Sequence, residues 1–112
     1  MAFEAQFSHG KPTMLDYTPG AAVAAGTVVV TNDTPRVAHL DIPANTLGAI
    51  ASDGGVYRMV ADGAIAADKK VYFNVTTRKV SLTATGAVLF GVTEQAAAAD
   101  LDAVTVRHDP GA

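Results

Sequence analysis

Glycine and proline recur along this chain at intervals too short for any long helix. From residue 13 onward they stand at Pro19-Gly20, Gly26, Pro35, Pro43, Gly48, Gly54-Gly55, Gly63, Gly86 and Gly91. Proline removes a backbone donor and clashes with the preceding helical turn, and glycine loses more backbone freedom in a helix than any other residue. Between these breakers lie short runs rich in Val, Thr, Ile, Tyr and Phe, which suit a pleated, half-buried surface. The pattern predicts strands near residues 27–31, 36–42, 56–60, 70–75, 78–83, 87–94 and 103–108.

Alternation supports several of them, because successive side chains on a strand point to opposite faces. Ala38, Leu40 and Ile42 share one expected face, with His39 and Asp41 on the other. Val71, Phe73 and Val75 oppose Tyr72 and Asn74, and Val80 with Leu82, Val88 with Phe90 and Val92, and Val104 with Val106 repeat the period. Thr76-Thr77-Arg78-Lys79 is expected to be a tight hairpin connection, and Asp53-Gly54-Gly55 a second turn. Gln95-Ala96-Ala97-Ala98-Ala99-Asp100 has helix propensity but is too short to nucleate a helix alone, so a single turn or a loop is expected. Many short strands at this spacing point to an all-β, small single-domain β-barrel or β-sandwich of about seven short strands. Residues 1–12, with Phe3 and Phe7 among polar neighbours and Gly10 and Pro12 behind them, read as an extended N-terminal arm, and residues 13–112 as a single β domain.

Composition narrows the function classes. The chain has 112 residues and no cysteine, which removes disulfides, thiolate metal sites and cysteine nucleophiles. Hydrophobic residues make up 49%, but without Trp and with only four Phe and three Tyr they are chiefly small Ala and Val. Each buried CH₂ contributes about 0.8 kcal/mol, so such a core is thin and suggests that a partner surface adds stability. The net charge is −3 and the eight basic residues form no run longer than Lys69-Lys70, so no nucleic-acid partner is expected. MAFEAQFSHGK lacks the basic and apolar regions of a signal peptide, and the longest apolar stretch, Gly20 to Val30, is far short of a span of about 20 residues. No membrane association is expected, and Asn32-Asp33-Thr34 and Asn74-Val75-Thr76 read as chance matches to a glycosylation pattern.

Residues able to carry chemistry are few and scattered. His9, His39 and His108 have no metal-ligand spacing; His39 with Asp41 is the best pair, and an exposed polar strand face explains it as well. Ser8, Ser52 and Ser81 lack a nucleophile-elbow context, Asp100 and Asp102 lack a third ligand, and Gly54-Gly55 is followed by no G-K-[ST]. Glu4 and Glu94 are the two glutamates, and the aromatics form no stacking platform. No catalytic, cofactor-binding or metal-binding residue is assigned, and the chain is expected not to be an enzyme.

The order of motifs resembles the bacteriophage capsid cement, or decoration, proteins. Gly26 precedes the Thr27–Val30 run, Val37-Ala38 leads toward Ile42, and Gly55-Val56-Tyr57-Arg58-Met59 is similar to the family's G-V-[FY]-x-[LM] strand. Ala64-Ile65 and Lys70-Val71-Tyr72-Phe73 follow, the latter close to a G-D-x-V-Y-W segment. Then come Lys79-Val80, Thr85-Gly86, Leu89-Phe90-Gly91-Val92 and Val104-Thr105-Val106-Arg107. Asp68-Lys69-Lys70 departs from the usual Gly-Asp pair, Phe73 replaces a common Trp, and the arm is longer than usual. The resemblance implies a structural virion protein that binds the major capsid protein on the outside of a tailed-phage head, often as a homotrimer; the lack of a signal peptide leads to the expectation that it is made in the host cytoplasm. It would brace the shell against internal pressure. Within residues 1–17, Phe3, Phe7, Met14, Leu15 and Tyr17 are the candidate anchors to the capsid or to a neighbouring copy. The alternatives are another β-rich virion module, such as a tail or head-fibre component, and a carbohydrate-binding module.

Overall fold

A computed structural model describes residues 4–100 and 102–112. Among them are eight strands: β1 (Gln6–Tyr17), β2 (Val28–Thr31), β3 (Thr34–Ala38), β4 (Gly48–Val60), β5 (Lys70–Asn74), β6 (Lys79–Ser81), β7 (Ala87–Gln95) and β8 (Ala103–His108). No helix forms among the described residues, and Ala96–Asp100 is a loop carrying one bridge, Ile65 to Ala97. All strands join one antiparallel sheet in the order β2-β3-β4-β8-β7-β5-β6, with β1 paired to β4 beside this path. The all-β, single-domain expectation is met by a curled sheet that forms a half-barrel.

The long strand β4 organises the sheet. One of its edges carries β1 from Gln6 opposite Arg58 to Tyr17 opposite Gly48. The other edge is shared end to end: β3 pairs at Ile50 and Ala51, and β8 pairs from Val56 to Val60. Curling brings β6 round to the end of β4, where Ala61 and Val80 form a parallel bridge and the Asp62 N–H donates to Val80 O at 2.8 Å.

Asp53-Gly54-Gly55 is not the expected turn. It runs through the middle of β4, where the pairing with β1 shifts register on either side of Gly10. Gly10 and Gly54 have φ of 103° and 85°. A Cβ on Gly54 would stand 2.7 Å from Lys11 O, and one on Gly10 would stand 2.8 Å from Gly54 O. These glycines therefore permit a close approach of two bulged strands rather than a chain reversal. A hairpin turn that sequence reading did not expect lies at Asn32 and Asp33, which join β2 to β3 with φ of 49° and 66°. Two consecutive left-handed residues are the signature of a type I′ turn, whose twist matches the flanking strands. The hairpin connection expected at Thr76–Lys79 is present one residue earlier, at 75–78, with the Asn74 side chain accepting from the Thr76 and Thr77 N–H groups at 2.8 and 3.1 Å.

The core gathers Val28, Val37, Ala51, Tyr57, Met59, Ile65, Val71, Phe73, Val80, Phe90, Val104 and Val106. A satellite cluster of Ala38, Ile42 and Ile50 packs against Tyr17 and Val23. Alternation is clean in β5, β6 and β8, is interrupted inside β4 and β7 where neighbours such as Ile50 and Ala51 or Phe90 and Gly91 are both buried, and is lost beyond the strand ends. Leu40 lies beyond the end of β3, Val75 beyond β5 and Leu82 beyond β6, and all three are exposed. The accessible surface of 5853 Å² is close to the roughly 5,800 Å² expected of a free monomer of this mass, so the small side chains still close a core of ordinary extent.

Candidate contact face

Residues 6–12, expected in an arm, are the first half of β1. Nearly every residue of this strand is exposed, because it lies at the sheet margin with one edge on β4. Pro12 is tolerated there because an edge strand needs no donor on its free side. Just before it, Glu4 and Ala5 fasten the chain to the domain. The Ala5 N–H donates to Gly26 O at 3.0 Å. The Glu4 carboxylate accepts from Arg78 Nε at 2.9 Å, from Arg78 Nη2 at 2.8 Å and from the Val28 N–H at 2.8 Å. Arg78 also donates to Val28 O at 2.6 Å and lies 4.9 Å from the Phe73 ring centroid. Burial pushes the Glu4 carboxyl up, but its bonds to Arg78 and Val28 and the guanidinium charge outweigh this and hold it below its ordinary value.

Of the five candidate anchors, Phe3 lies outside the described residues. Phe7, Met14 and Leu15 are 42%, 41% and 39% exposed, unusually open for large apolar side chains. Tyr17 is half-buried against Ala38, Ile42 and Ile50. Phe7 and Met14 are brought together through His39. Phe7 stacks obliquely on the His39 ring at 4.8 Å, and both line a depression with Ala5, Ala25, Gly26 and Ala38. A neighbouring depression is bounded by His39, Met14, Leu40, Ile42 and Leu47. Leu40 and Leu47 are 75% and 67% exposed and extend the apolar surface beyond β1. Leu15 alternates with Met14 and faces the opposite side, so the candidate anchors do not form one uninterrupted stripe.

Leu40 was missed because 36–42 reads as one alternating strand, and Leu47 because it falls between the expected strands. The strand ends at Ala38, and the segment to Gly48 becomes a loop that presents its leucines outward. Two leucines in a stretch interrupted by Pro43 and closed by Gly48 were the available signal.

Beneath this face lies a chain of rings. His39 Nε2 is 2.6 Å from the Tyr57 hydroxyl, Tyr57 packs edge-on to Phe90 at 6.1 Å, and Phe90 stacks on His108 at 4.6 Å. Tyr57 is fully buried and its hydroxyl has His39 Nε2 as its one hydrogen-bond partner among the described residues, so the arrangement that leaves no buried donor unpaired has Tyr57 donating and Nε2 accepting. Burial also pushes the Tyr57 phenol well above and the His39 imidazole below their ordinary values. The pair His39 and Asp41 does not act together: the Asp41 carboxylate accepts from the Ala25 N–H at 2.8 Å. Among the described residues no group of three or more His, Asp or Glu side chains is placed to hold a metal ion.

These features define a small all-β structural domain whose distinctive surface is an exposed apolar face along a marginal strand. The sequence model for phage cement proteins matches residues 7–108, nearly the whole chain. The protein belongs to the phage cement protein family, and that family gives it a structural role in the phage capsid. Neither the curated proteins nor the solved structures contain a match to it.

Proposed function

We propose that this protein binds the outer surface of a tailed-phage head and stabilises the shell of its major capsid protein. The observation that carries the reading is the family match across residues 7–108. The position of the apolar face supports it. Phe7, Met14, Leu40 and Leu47 lie around His39 on the margin of the sheet, where they are open to a flat partner without disturbing the core. Apolar side chains exposed together, rather than singly, mark an interaction surface. On the shell, copies grouped as homotrimers would contact several capsid subunits at once, and such multivalency turns modest single contacts into a strong clamp. Leu15, on the other side of β1 from Met14, and the half-buried Tyr17 are the proposed contacts to a neighbouring copy. The role needs no catalytic group, cofactor, nucleic acid or membrane.

The test is co-sedimentation of purified protein with capsids that lack it, using surface substitutions Phe7→Ser, Met14→Ser and Leu47→Ser. Deleting residues 2–12 is the less clean experiment, because it also removes Glu4, Ala5 and half of β1. Loss of co-sedimentation with an unchanged far-ultraviolet spectrum supports the reading. Full binding by the triple variant rejects this face as the contact.

A further inference from the structure

His108 ends β8 in full burial, with 0% of its surface exposed. Its Nε2 lies 2.7 Å from Pro35 O, and a carbonyl only accepts, so Nε2 carries the proton. Nδ1 is then a bare acceptor. It is the only buried side-chain polar atom among the described residues that has no hydrogen-bond partner. Phe90 on β7 covers one side of the ring at an interplanar angle of 26°, and Tyr57 on β4 meets it edge-on at 5.8 Å. The charged groups that face it are Asp53 on β4, Arg36 on β3 and Asp109 just past β8. None of these carboxylates hydrogen-bonds the ring. A second proton on this imidazole would create a buried cation whose new N–H has no acceptor, a costly arrangement that exposure to water relieves.

Nε2 still donates to Pro35 O in the charged ring, so this bond gives way only because the new Nδ1–H has to reach water. The bond ties β8 to Pro35 on β3, across 73 residues of sequence, and β3 and β8 share one edge of β4. The other end of the ring chain also responds to a proton, through a ring that is only half-buried. His39 Nε2 accepts from the Tyr57 hydroxyl, so protonation replaces its acceptor with a donor, and Tyr57 must turn round or let go. His39 faces Phe7 and Gln6 from β1 and Met14 from the same strand, with no carboxylate bonded to it. The nearby Asp41 is engaged by the Ala25 N–H.

We propose that His39 and His108, on either side of Tyr57, form an acid-sensitive latch that frees β3 and the loop after it from β4 and β8 when both rings gain protons. The latch is a property of the isolated domain. Its consequence for decoration, detachment from the shell in mild acid, rests on the contact face proposed above. Burial also holds both imidazoles below their ordinary values. The opened state therefore takes up protons that the closed state refuses. The stability tied to each ring is complete above the ordinary histidine value near 6.5 and is lost as pH falls below it. One such histidine raises the unfolding equilibrium constant by up to about tenfold per pH unit.

Urea unfolding of the full chain between about pH 7.5 and about pH 5 tests the latch, with His108→Gln, His39→Gln and, as a control, His9→Gln. The expected result is an unfolding constant that rises at least tenfold below about pH 6 in the wild type and in His9→Gln. His108→Gln keeps an amide that can donate to Pro35 O but cannot titrate, so its profile should be flatter. If that variant does not fold, proton NMR of the wild type gives the answer. The His108 ring signals should stay at their neutral position until the domain opens. Stability unchanged from neutral to acid, or a His108 resonance titrating near its ordinary value inside the folded protein, would overturn the proposal. Capsid co-sedimentation at both ends of the range separates the two readings. Failure to bind at either pH rejects the contact face alone and leaves the urea result to judge the latch.

Discussion

Replacing Glu4 by alanine should lower the melting temperature by about 10 °C, a large effect for a residue four places from the N-terminus. Three donors converge on its carboxylate, two from Arg78 and one from the Val28 backbone. Hydrogen bonds to charged groups contribute about 1.5–3 kcal/mol each when sheltered. Here the Arg78 and Glu4 side chains are 36% and 27% exposed, so the ion pair itself is discounted toward the surface value of about 1 kcal/mol or less. The Val28 N–H, which lies on a buried residue, would be left without its acceptor at a further cost of about 1–2 kcal/mol. The sum is about 2–3 kcal/mol, and a domain of this size shifts by about 4 °C per kcal/mol. Circular dichroism melts at neutral pH measure it, and an Arg78→Met double-mutant cycle should return a coupling of about 1 kcal/mol. Because the Glu4 carboxyl is held below its ordinary value, its contribution is present at neutral pH and is lost as pH falls below about 4.5, well under the histidine window. A Glu4→Ala shift within about 2 °C, with no coupling, would refute the claim that the chain is pinned at residue 4.

Gly54→Ala should destabilise by about 2–4 kcal/mol, since φ of 85° disfavours a side chain and its Cβ would press on Lys11 O at 2.7 Å; chemical unfolding measures this. Gly91→Ala should prevent folding, because a Cβ there would stand 1.8 Å from Arg107 O where the β7–β8 pairing begins, and recovery only in the insoluble fraction would show it. Tyr57→Phe removes the donor to His39 from a fully buried ring and should cost about 1–2 kcal/mol while leaving the neutral-pH spectrum unchanged.

Seven of the eight strands were legible in whole or in part from β-branched and aromatic runs between breakers, several of them with an alternating face as well. Val71 and Phe73, or Val104 and Val106, announce themselves by period alone. The eighth, β1, was illegible for a physical reason. It buries almost none of its side chains, so its sequence carries no alternation, and Gly10 and Pro12 read as breakers when they are features of a bulged edge. The first half of β4 was lost to the same glycines, since Asp-Gly-Gly signals a turn unless a partner glycine lies across the strand. Phe7 and Met14 could be picked out as exposed apolar residues near the terminus. Their meeting at His39, the outward Leu40 and Leu47, and the Glu4–Arg78 clamp depend on contacts between residues far apart in sequence, which no local pattern encodes. His108 was hidden because a lone histidine at a strand end looks like surface, and only the curl of the sheet buries it.

The central claim is tested most directly by electron cryo-microscopy of the parent phage particle. The account predicts density for this chain on the capsid exterior, with β1 and the 39–47 loop turned toward the major capsid protein. Density in the tail instead, or on the head with Phe7, Met14 and Leu47 facing solvent, would contradict it.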